Sequence, residues 1–256
     1  HTIAKGANID RMMAELHGKA TGSNGGKGGS MHIADFSVGM LGANGVVAAG
    51  LPIAVGAAHA LKLKASSNIV ACFFGDGAIN RGPFMEALNW AKVFALGVLF
   101  VCEDNQWSAT TRTDSMTAGP GVAARAEAMG IKTLSVDGND VLAVDRAAGE
   151  LVNYVREQRQ PALLHARTYR VKGHVSVDPA SYRDPAELEA ALKTDPLQRA
   201  RVAYCAAGGS RSDLDAIDLA AQAQIERASQ KAIEAPWPLA SSAHQDIQTV
   251  GEGVWH

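Results

Sequence analysis

The chain has 256 residues, of which 47% are hydrophobic and 20% charged, with a formal net charge of −2. That is enough apolar material for one large α/β domain or two small ones, and the near-neutral charge excludes a global bias toward nucleic acid or anionic lipid, so neither partner is expected. No uninterrupted apolar run reaches the roughly 18 residues that a membrane span requires. The opening His1-Thr2-Ile3-Ala4-Lys5 has neither an initiator Met nor a signal-peptide pattern, and reads as a chain entered in mid-element, with N-terminal residues expected to be missing. The three cysteines, Cys72, Cys102 and Cys205, match no zinc spacing. Cys72 and Cys102 lie in apolar runs and read as buried free thiols, in keeping with a reducing, cytoplasmic location.

In chain order, Gly22 to Gly29 (Gly-Ser-Asn-Gly-Gly-Lys-Gly-Gly) is too rich in glycine for a helix or strand. Such a loop is a flexible surface connection or a backbone shaped to approach a ligand closely, and composition alone favours the first. Residues from about Ala48 to Lys64, rich in Ala, Gly and Leu, predict a closely packed helix. Asn68 to Phe74 is a short apolar run ending at Gly75-Asp76-Gly77, and predicts a buried strand. Pro83 to Ala95 predicts a helix with Pro83 in its first turn. Val98 to Cys102 predicts a second buried strand, ending at Glu103-Asp104-Asn105. The alternation continues with a strand over Thr133 to Val136, a helix over Val141 to Gln158 and a strand over Ala162 to Arg170. Leu214 to Ile233 predicts a long amphipathic helix. Strand–helix alternation with continuous apolar strands implies an α/β fold, a parallel sheet with helices on both faces. Residues 1–256 read as a single domain with a helix-rich part from about residue 195.

Ligands of such a sheet sit at the carboxyl ends of its strands. Asp76 follows one predicted strand directly and Asn105 follows the next. If the two strands are neighbours, a carboxylate and an amide oxygen meet at one rim. That pair suits a hard cation such as Mg²⁺, whose remaining positions a substrate's phosphates usually fill. The helix opening at Gly82-Pro83 adds a favourable dipole for a diphosphate. Competing phosphate motifs fail, because Gly75-Asp76-Gly77 lacks the third glycine of the dinucleotide fingerprint and Arg81-Gly82-Pro83-Phe84 lacks a P-loop ending. Read alone, Asp76 could instead cap a helix, Asn105 could form an Asx-turn and His174 could be an exposed loop residue. His59 and His165 read as packed side chains in a helix and a strand.

The stretch from Gly75-Asp76-Gly77 through Glu86-Ala87-Leu88-Asn89 to Glu103-Asp104-Asn105 closely resembles the thiamine-diphosphate signature. Gly28-Gly29-Ser30-Met31-His32, Gly42 to Val47, Val136 to Asp140, Arg167-Thr168-Tyr169-Arg170, Gly173-His174, Asp178-Pro179 and Tyr182-Arg183 follow in family order. The resemblance is to the α subunits of two-subunit E1 components of dehydrogenase complexes acting on acetoin or a 2-oxo acid. It implies a thiamine-diphosphate-dependent oxidoreductase that uses Mg²⁺. Asp76 and Asn105 would ligate the metal through side chains and Trp107 through its carbonyl. Gly75, Gly77 and Ala78 would line the diphosphate, with Arg170 as counter-charge, and Gly45 and Val47 would face the aminopyrimidine. His174 and His32 would be active-site histidines, and Lys172 to Arg183 a mobile loop over the cofactor. Val175 stands where the family often has a phosphorylatable Ser. Ala109 replaces a commonly larger apolar residue.

The resemblance further implies a β subunit, which carries the glutamate that activates the cofactor. The chain would be inactive alone, would work as an α2β2 assembly and would pass a two-carbon unit to a lipoyl-bearing E2. The wording of Gly39 to Asn44, Cys102 to Asn105 and Ser108 to Arg112 places acetoin first as the small-molecule substrate, then pyruvate, then branched-chain 2-oxo acids. A catalytically silent scaffold is the alternative from another class, and the presence of both Asp76 and Asn105 counts against it. A nicotinamide-dependent oxidoreductase is disfavoured by the failed glycine fingerprint.

Overall fold

The structure is a computed structural model that describes residues 1–245. In chain order its helices are α1 (Ile9–Leu16), α2 (Gly50–Leu63), α3 (Gly82–Val93), α4 (Val122–Ala128), α5 (Val141–Gln158), α6 (Pro185–Leu192), α7 (Pro196–Ala206) and α8 (Arg211–Glu234). Its strands are β1 (Val70–Gly75), β2 (Val98–Asp104), β3 (Trp107–Ser108), β4 (Thr111–Arg112), β5 (Lys132–Asp137) and β6 (Ala162–Arg167). The described chain divides into two compact units, residues 46–210 and residues 1–45 with 211–245.

The unit of residues 46–210 is built on a parallel sheet of order β1-β2-β6-β5. The central strands are apolar on both faces. Val98, Phe100 and Cys102 of β2 are fully buried on one face, and Leu99 and Val101 are buried on the other. On the first face Leu51, Ala54 and Ala58 of α2, Phe84 and Leu88 of α3, and Val122 and Ala126 of α4 complete one core. On the second, Ala147, Leu151 and Val155 of α5, spaced four apart as one helical stripe, pack on Leu99, Val101 and Leu164. From β1 to β2 the chain steps one way along the sheet, and from β5 back to β6 it steps the other way. Right-handed crossovers therefore put α3 and α5 on opposite faces.

Several boundaries differ from expectation for identifiable reasons. The strand expected to reach Arg170 stops at Arg167, because Asp104 of β2 and Asp137 of β5 are its last partners. The helix-rich part begins at α6 rather than near residue 195. Asp184 and Asp195 are N-caps followed directly by proline, accepting from the N–H groups of Ala186 at 2.9 Å and Leu197 at 2.8 Å. The long helix expected over Leu214 to Ile233 spans Arg211–Glu234, and its buried residues are Ala228 and Ala232. Of its larger apolar residues, Ile217, Leu219, Ile225 and Ile233 are exposed. As expected, Cys72 and Cys102 are buried free thiols, and burial pushes the Cys72 thiol up to about 12.

In the other unit, α1 lies against α8. Lys19 is 6% exposed, and its ammonium donates to the carbonyls of Ile233 at 3.1 Å and Ala235 at 3.0 Å, where the α8 dipole is negative. The glycine-rich segment is not a free surface connection. It wraps the carboxylate of Glu15, which is fully buried. Oε2 accepts from Asn24 N–H at 2.8 Å and Gly26 N–H at 2.9 Å, and Oε1 from Gly28 N–H at 2.7 Å and Gly29 N–H at 3.1 Å. A Cβ on Gly22 would lie 2.7 Å from the Glu15 Cα, so no side chain fits there.

Burial pushes the Glu15 pKa up, but the N–H donors of Gly26, Asn24, Gly28 and Gly29 outweigh burial and hold it below its ordinary 4.5. Its stabilisation is therefore present above the ordinary value and is lost as pH falls through the lowered folded value. Glu15→Gln turns an amide N–H toward backbone donors, at a cost of about 3 kcal/mol. Hydrogen-exchange mass spectrometry of a peptide spanning residues 22–29 should show protection falling by roughly a hundredfold in the variant. In the wild type the same protection should fall only below the ordinary carboxylate pH.

Candidate functional site

The register pairs Gly75 with Glu103, so Asp76 and Asp104 leave adjacent strand ends. Alternation carries Cys72, Phe74 and Asp76 to one face of β1, and Phe100, Cys102 and Asp104 to the same face of β2. Asp76 is 3% exposed. Its carboxylate accepts a hydrogen bond from the Thr113 hydroxyl. Burial pushes its pKa up and the charge of Asp104 adds to this, against the Thr113 hydroxyl and the N–H groups of Asp76 and Asn105. Among the described residues no lysine, arginine or histidine pairs with it. It is a buried carboxylate without a cation.

Asn105 sits beside it in a tight turn. Its Oδ1 accepts from Trp107 N–H at 3.1 Å, the Asx-turn geometry. Gln106 has φ of 69°, a left-handed conformation uncommon for a residue with a Cβ. Its N–H donates to Asp104 Oδ1 at 3.2 Å and its carbonyl accepts from Thr113 N–H at 3.1 Å. The hairpin of β3 and β4 follows, with Trp107 opposite Arg112. Gly77 lies against this hairpin, and a Cβ there would meet Ser108 Cβ at 2.6 Å. Ala78 is buried in the short 3-10 helix that opens at Asp76, which has no side-chain N-cap bond. N–H groups in such a first turn lack partners of their own and favour an anion.

Arg170 ties the hairpin to the segment after β6. Its Nη1 donates to Trp107 O at 3.3 Å and lies 3.4 Å from His174 Nδ1, and its Nη2 donates to Ala109 O at 2.5 Å. Its buried Nε has no acceptor. The segment from 172 to 183 is internally bonded. Asp178 accepts from His174 N–H at 2.7 Å, Ala180 N–H at 2.9 Å and Tyr182 OH at 2.8 Å, and these donors hold its carboxyl down at about 2. Arg183 is buried against the Trp107, Tyr169 and Tyr182 rings and donates to the Arg170 and Lys172 carbonyls. His174 itself is exposed.

Thus Asp76, Gly77, Ala78, Asn105, Trp107, Arg170 and His174 fall in one unit and form one connected neighbourhood. Val47 belongs to the same unit and is exposed. His32 and Gly45 belong to the other unit, where they adjoin each other, a Cβ on Gly45 lying 3.6 Å from His32 Nε2.

The family described as Dehydrogenase E1 component matches residues 1–241. An acetoin:2,6-dichlorophenolindophenol oxidoreductase α subunit of Cupriavidus necator is 44% identical over 240 residues, covering 93% of this chain and 72% of the relative. The Bacillus subtilis protein of the same name is 40% identical over 247 residues, covering 96% and 74%. A pyruvate dehydrogenase E1 component α subunit of Porphyra purpurea is 37% identical over 246 residues, covering 93% and 72%. The chain belongs to the dehydrogenase E1 component family.

It is an E1 α subunit, of a class of thiamine-diphosphate-dependent oxidoreductases that work in multienzyme complexes. The neighbourhood fits a metal-bound diphosphate. Asp76, Asn105 and the Trp107 carbonyl offer oxygens of the kind a hard cation takes. The buried Arg170 Nε without an acceptor is of the kind an anionic oxygen satisfies.

Sequence reading missed three supports of this E1 α site. Thr113 lies far from Asp76 in sequence, and no periodicity announces it. Ser108 is recognisable only through the closeness of Gly77. Arg125 of α4 donates to Ile79 O at 2.5 Å and Ala118 O at 3.1 Å, fixing the turn after Asp76. The Gly77 contact generates a test. Gly77→Ala forces Ser108 to move and should destabilise the enzyme by about 2 kcal/mol. A melting curve should show that loss, and adding Ser108→Gly should recover most of it.

Proposed function

We propose that this E1 α subunit holds Mg²⁺ through the side chains of Asp76 and Asn105 and the carbonyl of Trp107, and serves acetoin cleavage. The observation that carries the metal assignment is the buried, unpaired Asp76 carboxylate beside Asn105 at adjacent strand ends. An uncompensated carboxylate at such a depth costs several kcal/mol, and a divalent ion removes the cost. Gly75, Gly77 and Ala78 line the diphosphate, and Arg170 supplies its counter-charge. Gly45 and Val47 present backbone groups to the aminopyrimidine.

When bound, the cofactor supplies the nucleophile for a carbonyl and the sink for the electrons of the broken carbon–carbon bond. The chain's own part is positional and protonic. His174, held by Arg170 at its Nδ1 and by Asp178 at its N–H, gives or takes a proton at its imidazole. His32 is the second histidine in that role. The segment from Lys172 to Arg183 excludes water over the reacting atoms. A β subunit completes an α2β2 assembly and provides the activating glutamate, so this subunit alone is inactive. The two-carbon unit goes to a lipoyl-bearing E2. Among the described residues no helix is long and apolar enough to cross a membrane. The buried free thiols of Cys72 and Cys102 support a reducing, cytoplasmic location.

Acetoin is favoured as substrate by the two relatives named for it, at 44% and 40% identity. Pyruvate is the second reading, supported by the relative at 37%. Calorimetric titration of the α–β assembly should give magnesium-dependent binding of thiamine diphosphate. Asp76→Ala should weaken it by at least about 100-fold, the upper range for losing even an indirect metal contact. Wild-type affinity in that variant would end the metal assignment. Turnover with acetoin exceeding that with pyruvate supports the first substrate, and the reverse order supports the second.

A further inference from the structure

The sheet carries a polar chain of which only one member, Asp104, lies in the stretch that resembles the family's signature. Ser135 of β5, His165 of β6 and Asp104 of β2 lie on the face that also bears Asp76. The register sets His165 opposite Ser135 on one side and Cys102 on the other. His165 Nδ1 is 3.1 Å from Ser135 Oγ and Nε2 is 2.8 Å from Asp104 Oδ2, with the His165 and Asp104 side chains 14% and 24% exposed. A histidine expected to be a plain packed residue is thus bonded through both ring nitrogens.

Its partner matters because of what Asp104 does next. While Oδ2 is held by His165, Oδ1 accepts from Gln106 N–H at 3.2 Å, and the Asp104 carbonyl accepts from Thr168 N–H at 2.8 Å. That turn keeps Gln106 in its left-handed conformation and sets the direction of Asn105 and Trp107 on either side of it. Asp104 is also the carboxylate next to Asp76, and the two repel. Drawing Asp104 toward β6 separates the charges and leaves Asp76 free to serve a cation.

We propose that His165 is a positioning residue for the metal end of the site, acting through Asp104 on the turn that presents Asn105 and Trp107. The proposal rests on the metal-site reading above. The probe is Mg²⁺ itself, titrated by calorimetry into the α–β assembly saturated with thiamine diphosphate after removal of divalent ions. His165→Leu should raise the Kd for Mg²⁺ by about tenfold, the scale of losing a group that orients a ligand. In an Asp104→Ala background, where the oxygen that His165 holds is gone, the same change should cost less than about twofold. His165→Gln, which keeps an N–H for Asp104, should restore most of the affinity. His165→Asn, too short to reach, should not, and it carries the test if the leucine variant fails to assemble. Equal losses in both backgrounds would mean a generic packing role and overturn the proposal, as would wild-type affinity in His165→Asn. Wild-type assembly that takes up no thiamine diphosphate would overturn the metal-site reading, and the proposal with it.

Discussion

The organising constraint is a carboxylate placed where water does not reach. Asp76 ends the edge strand of a parallel sheet, sealed by a core of α2, α3 and α4 side chains and by the hairpin that Gly77 touches. A charge so placed is unfavourable by itself, and the fold supplies only a hydroxyl and backbone N–H groups to offset it. In the proposed function a cation is the partner that the geometry around it serves. Asn105 is held by its own turn, the Trp107 carbonyl is held by Arg170, and Arg170 keeps a buried N–H without an acceptor.

A second buried carboxylate gives the contrast. Glu15 is equally inaccessible, yet four backbone N–H groups surround it and its pKa falls, whereas that of Asp76 rises. Burial acts on both in the same direction, and the difference lies in the number of donors and in the Asp104 charge beside Asp76. Glu15 is fully solvated by its own chain and reads as an anchor for the glycine-rich loop. Asp76 is incompletely solvated and reads as a site. The same distinction separates Asp178, saturated by the donors of its own loop, from a group poised for chemistry.

Much of this was legible from residue order. The helix over Val141 to Gln158 was readable to the residue, because Asp140 caps it and its apolar stripe is regular. The central strands were readable because burial on both faces requires continuous apolar runs. The closeness of Asp76 and Asn105 followed from assuming that β1 and β2 are neighbours. What was not legible is carried by long-range contacts. Thr113 meets Asp76, and His165 meets Asp104, only after the strands pair. The glycine-rich loop was misread for the same reason. Its composition announces backbone freedom but not the Glu15 carboxylate that uses it. The capping pairs Asp184-Pro185 and Asp195-Pro196 were readable in principle, and they mark where the helix-rich part starts.

The most direct test of the central claim is crystallographic. The assembled enzyme would be crystallised with thiamine diphosphate and with Mn²⁺ in place of Mg²⁺, and the metal located by its anomalous scattering. The account requires one peak about 2.0–2.3 Å from a carboxylate oxygen of Asp76, the amide oxygen of Asn105 and the carbonyl of Trp107. A peak held by other residues, with Asp76 still bonded only to Thr113 and the chain, would contradict it.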